Sequence, residues 1–156
     1  MFSIAALNAS MAALAGLVAA LRRGEGLAPL DLFRLREIVE FSFANVLLAV
    51  SVVPLATITG STETAVRTVG VAAIVYLSVH MVILIRRQRL SQIATYRSWA
   101  VLVIPLLIAA YVAALATVLS GQIGWLEVLL VTMLARPMTA FLFVLSMFGT
   151  RRADGQ

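Results

Sequence analysis

The chain contains no cysteine. Disulfides, thiolate zinc sites and cysteine-ligated iron–sulfur clusters are therefore excluded. It has no lysine either, so all twelve basic residues are arginine, the complement that a high-GC bacterial coding bias produces. A single histidine, His80, rules out bis-histidine haem ligation within one chain. Acidic residues number only seven. The Gly-x-Ser-x-Gly, Walker A, His-Glu-x-x-His and Gly-x-Gly-x-x-Gly patterns are all absent. Nor is there room for a soluble domain, because the longest polar connector is residues 22–37.

What the chain has in abundance is apolar sequence. Of its 156 residues 62% are hydrophobic, and the mean hydropathy is +1.04. Soluble domains run at roughly 45–50%. Five long apolar runs cover Phe2–Leu21, Ile38–Thr59, Val69–Ile85, Trp99–Ser120 and Ile123–Phe148. About 20 helical residues rising ~1.5 Å each cross a hydrocarbon core of ~30 Å. The expected fold is therefore all-α, a single five-helix transmembrane bundle over residues 1–150 with a short tail at 151–156.

Arginine sets the expected orientation. Ten of the twelve lie in three clusters: Arg22/Arg23/Arg34/Arg36, Arg86/Arg87/Arg89/Arg97 and Arg151/Arg152. The clusters alternate with the runs, and basic residues mark cytoplasmic connectors. That places connectors 22–37 and 86–98 and the C-terminus inside, and the N-terminus and connectors 60–68 and 121–124 outside. The net charge of +5 then reflects flanking stop signals, and no nucleic-acid partner is expected. The first run has no basic residue before it and an Arg pair after it, which favours an uncleaved helix over a signal peptide.

Local signals refine the spans. Small residues recur at four-residue spacing as Ala5/Ala9/Ala13, Ala12/Gly16/Ala20, Ala109/Ala113 and Ala110/Ala114. Such faces let helices approach closely in lipid. Gly24, Gly26 and Pro29 break the chain, and Asp31 is a first-turn acid or cap for span 2, whose interfacial start covers 31–37. Gly60 ends span 2, and Ser61, Thr62 and Glu63 start span 3. Tyr96, Trp99 and Trp125 lie where aromatic belts form. Arg36 to Gly60 and Arg97 to Gly121 are equal intervals, which fits either a weak parallel repeat of spans 2–3 and 4–5 or simply two positive-inside hairpins, and Pro54 and Pro105 do not correspond.

Ionisable groups at membrane depth are costly and are functional candidates. Arg136 lies near the middle of span 5, followed by Pro137, and needs a partner. Span 5 descends toward Glu40 and Asn45 of span 2, so a contact of Arg136 with Glu40 and Asn45 is expected. Glu40 has an alternative partner in Arg36, four residues earlier. His80, in the inner half of span 3, completes a candidate polar cluster of Arg136, Glu40, Asn45 and His80. Glu127 sits at the outer boundary. No catalytic, cofactor or metal site emerges, and no cofactor is expected.

The stretch Arg34-Leu-Arg36-Glu-Ile-Val-Glu40-Phe-Ser42, with the aliphatic run to Pro54, resembles a segment of small uncharacterised bacterial integral membrane proteins. The resemblance covers about twenty residues and implies no activity. The expected function is that of a non-enzymatic accessory or oligomeric subunit of the inner (plasma) membrane. Its partners would be the lipid bilayer and a second copy or another membrane protein. The alternative is a small transporter or channel with a polar path near Arg136.

Because the chain is cysteine-free, orientation is directly measurable. A membrane-impermeant thiol reagent added to intact cells should label Ser61→Cys and leave Gln88→Cys unlabelled until the membrane is opened.

Overall fold

In the computed structural model the described backbone comprises residues 5–10, 12, 13, 16, 29–90 and 96–153. All of it is helical apart from the turns at Gly60–Ser61 and Gly121–Gln122. The N-terminal helical residues, 5–10, 12, 13 and 16, are called α1. They are followed by α2 (Pro29–Thr59), α3 (Thr62–Leu90), α4 (Tyr96–Ser120) and α5 (Ile123–Ala153). Arg22, Arg23, Gly24 and Gly26, and with them Ala20, lie outside the described residues.

The helices start and stop where the sequence chemistry dictates. Proline opens α2, where its missing N–H costs no intrahelical bond. Ser61 caps α3: its Oγ accepts the Thr64 amide at 3.2 Å, and the Ala65 amide bonds the Ser61 carbonyl at 3.1 Å. Both α2 and α4 end on a glycine with φ of 66°, a left-handed conformation that side-chain-bearing residues disfavour. At the second, the Gly121 amide returns to the Thr117 carbonyl at 2.9 Å and closes the α4 terminus. Pro54, Pro105 and Pro137 all sit within continuous helix.

Such short turns force neighbouring helices to run antiparallel. Helix α2 packs on α3, α3 on α4, α4 on α5, and α5 closes back onto α2. The ring encloses a main core, in which Phe41, Leu48 and Val52 of α2 meet Val66, Val69 and Leu77 of α3 and Leu126, Leu129, Leu130 and Met133 of α5, and a smaller one that joins Leu35 and Ile38 of α2 to Ala140 of α5. Ala5 of α1 joins the main core. On α4 the inward face is small: Ala110, Ala113, Ala114 and Thr117 are buried, whereas Ala109 is exposed. The Ala110/Ala114 face of α4 is thus used within this chain, because a narrow inner face lets α3 and α5 come close.

The exterior of the bundle is as apolar as its core, unlike that of a water-soluble protein. Leu47, Val53, Ile58, Ile108, Val112, Leu119, Val131 and Leu142 point outward and are well exposed. Asn8, Glu37, Ser42, Asn45, His80 and Arg136 are buried. A continuous apolar exterior of this kind is a liability in water and the expected surface in lipid. Thr57, Thr68, Ser78 and Thr132 bond the carbonyl four residues back on their own helix, at 2.7–3.0 Å. Three helical segments are long and apolar enough to cross a bilayer: Leu35–Thr59, Thr62–Ile83 and Ile123–Leu142. The described apolar part of α4, Ile104–Ser120, is shorter.

Two helical glycines make the packing testable. A Cβ at Gly70 would lie 2.9 Å from Val118 Cγ2 and 3.3 Å from the Val118 amide of α4, whereas a Cβ at Gly124 would meet nothing within 4 Å. Gly124→Ala should hold or raise stability by up to ~1 kcal/mol through helix propensity. Gly70→Ala should lower it by ~1–3 kcal/mol through overpacking. Thermal denaturation in detergent reads both.

Candidate functional site: a buried Glu37–Arg136–His80 cluster

The helical register of α2 decides which acid faces inward. Phe41 and Asn45 are buried at four-residue spacing, and Glu37 continues that row one turn earlier. Glu40 is rotated away from the row. It pairs instead with Arg36 on the outer side, with 38% of its side chain exposed. Glu37 is only 4% exposed.

Arg136 of α5 meets Glu37. Its Nη2 lies 3.2 Å from Glu37 Oε1 and 3.2 Å from His80 Nε2 of α3. The His80 Nε2 is itself 3.4 Å from Glu37 Oε1. Three helices therefore converge on one carboxylate oxygen. Aromatic rings wall the cluster: the guanidinium carbon sits 4.1 Å above the centre of the Phe41 ring, a cation–π contact. The Phe41 ring meets His80 edge-on at 4.4 Å and Tyr76 at 5.5 Å. The Tyr76 hydroxyl reaches the Glu40 backbone carbonyl at 3.4 Å.

The four sequence-derived candidates thus separate. Arg136 and His80 touch. Glu40 contributes its main chain through Tyr76, and its carboxylate goes to Arg36, four residues away on the same helix. Asn45 lies deeper, its Nδ2 donating to the Leu130 carbonyl of α5 at 2.9 Å. The expected contact of Arg136 with Glu40 and Asn45 is replaced by one with Glu37, because a step of three residues turns a helix by ~60° short of a full circle. Extending the Phe41/Asn45 row backward by four would have found Glu37. Phe41 and Tyr76 left no comparable signal, since aromatic residues are common in any apolar helix.

The carbonyl of Arg136 accepts from Thr139 Oγ1 at 2.8 Å. Pro137 has no N–H to give the carbonyl of Met133, so α5 lacks one rung of its ladder beside the cluster. Three buried acceptors, Glu37 Oε2, Ser42 Oγ and Asn45 Oδ1, have no hydrogen-bond partner among the described residues. No group of three or more metal-ligating His, Asp or Glu occurs among the described residues. Glu127 stands on α5 nine residues before Arg136 and is exposed.

Comparison with known proteins finds no matching family, no similar curated protein and no similar solved structure.

Breaking a buried pair leaves an uncompensated charge at a cost of ~3–5 kcal/mol. Glu37→Leu and Arg136→Leu should each destabilise by that order in detergent unfolding. The double variant should lose much less than their sum. Glu40→Gln, at a partly exposed pair, should cost no more than ~1 kcal/mol.

Proposed function

We propose that this chain is a five-span integral protein of a bacterial inner membrane, with its N-terminus outside and its C-terminus cytoplasmic. Its role is that of a non-enzymatic subunit: a small helical bundle that acts by associating with its own copies or with another membrane protein. The observation that carries this reading is the internal matching of the deepest charge. Arg136 is 4% exposed and is met inside the chain by Glu37, His80 and the Phe41 ring. A guanidinium held this way fastens α5 to α2 and α3, and it is not presented to a solute. Orientation rests on the alternation of arginine clusters with apolar runs. Association would use the apolar perimeter, and α1 adds small exposed positions at Ala9 and Ala13.

A transport role is the second reading. It is favoured by the buried, unbonded oxygens of Glu37, Ser42 and Asn45, which extend the polar character of α2 beyond the ion pair. The readings differ in what Arg136→Leu does. For a structural subunit, proteoliposomes of the wild type carry no ion or proton flux above empty vesicles. Cross-linking in native membranes then captures a defined oligomer or partner, and Arg136→Leu lowers yield and stability. A wild-type flux abolished by Arg136→Leu in a well-inserted protein would replace the subunit reading with transport.

A further inference from the structure

His80 Nε2 occupies an unusual position, 3.2 Å from a nitrogen that can only donate and 3.4 Å from an oxygen that can only accept when ionised. The Arg136 contact requires a lone pair on Nε2. It therefore exists only for the neutral imidazole whose proton is on Nδ1. A proton added to Nε2 turns that atom into a donor, and two donors cannot bond each other. The acceptor then within reach is Glu37 Oε1, the atom Arg136 holds.

We propose that the cluster is a proton-operated latch: protonation of His80 at Nε2 hands Glu37 Oε1 from Arg136 to the imidazolium and releases the α5 guanidinium from the α2–α3 pair. The step binds one proton from water and makes or breaks no covalent bond to carbon. It leaves two cations against one carboxylate in a low-dielectric setting, and like charges there repel strongly. The Met133–Pro137 rung is missing from the α5 backbone directly beside that guanidinium. Bistable elements of this type turn a local charge change into a helix displacement.

The charged and titratable groups around His80 are few among the described residues. Helix α2 supplies Glu37, and also Glu40, which is turned toward Arg36. Helix α5 supplies Arg136. Helix α3 supplies Tyr76 one turn away, and α4 supplies Tyr111, whose hydroxyl donates to Ser78 Oγ at 2.9 Å. Phenols ordinarily titrate far above neutrality. Imidazole is the side chain whose charge ordinarily changes between about pH 5 and 8. The latch needs no particular orientation in the membrane and no partner, so it stands or falls separately from the subunit reading.

The experiment exploits the single histidine. Full-length protein labelled with ¹⁵N-histidine and ¹⁵N-arginine in lipid nanodiscs is followed by NMR from about pH 8 to about pH 5. At the higher pH the ring should be neutral with Nε2 unprotonated. One guanidinium signal should be displaced by the Phe41 ring and return to the arginine envelope in Phe41→Leu. On acidification both ring nitrogens become protonated, and the displaced guanidinium signal collapses into the envelope at the same pH. In His80→Gln that signal should stay displaced throughout. A ring protonated at Nε2 at the higher pH, or a guanidinium signal indifferent to pH, overturns the proposal. So does an unchanged pH response in His80→Gln, which would assign the titration to an acid. If His80→Gln does not fold, the wild-type tautomer and the coincidence of the two transitions decide.

Discussion

An arginine inside a helical bundle with an apolar exterior imposes the constraint from which the rest of this structure follows. A guanidinium cannot shed its charge, and in hydrocarbon it cannot borrow water. Its neutralisation must therefore come from another helix. Glu37 supplies the countercharge, His80 an acceptor and Phe41 a polarisable face. Satisfying one side chain thereby fixes the lateral order of α2, α3 and α5 and the axial register among them. The hydrocarbon contacts above and below the cluster are less specific, since lipid tails are nearly as good a neighbour for leucine as another leucine is.

Small residues do the complementary work on the far side of the ring. Where α3 meets α4, Gly70 lies under Thr117 and Val118, and Ala110, Ala113 and Ala114 line the inner face of α4. Close backbone approach there is accompanied by the hydrogen bond from the Tyr111 hydroxyl to Ser78 Oγ. One side of the bundle is thus held by charge and the other by proximity and a neutral hydrogen bond. The two glycine-terminated turns join these sides, each requiring a backbone conformation open to glycine.

Much of this was legible in the primary structure. The helix-ending glycines at 60 and 121 and the Ser61 cap follow from local chemistry, and the structure carries them as read, while three of the five apolar runs have spanning length among the described residues. The importance of Arg136 and His80 was also visible, because an ionisable residue in an apolar run has no indifferent place to go. The identity of the acid was legible only by carrying the Asn45 and Phe41 row back four more residues. Glu37 and Glu40 stand on the same stretch of helix beside the same arginines, and a difference of three residues separates a core position from a partly exposed one. Only the rotational phase of α2, set by packing of Phe41 and Asn45, decides between them. The destination of the α4 alanines was hidden for a related reason. A small-residue face announces close packing and is silent on whether the neighbour belongs to the same chain.

The ion pair also joins distant parts of the chain: Glu37 and Arg136 are separated by 99 residues. At a synthesis rate of roughly 5–20 residues per second, on the order of 5–20 s pass between their emergence. Throughout that interval the carboxylate of α2 has no cation from α5. The Glu37–Arg136 pair can close only once the last of the helices has been made, so electrostatics as well as sequence orders the assembly of this bundle.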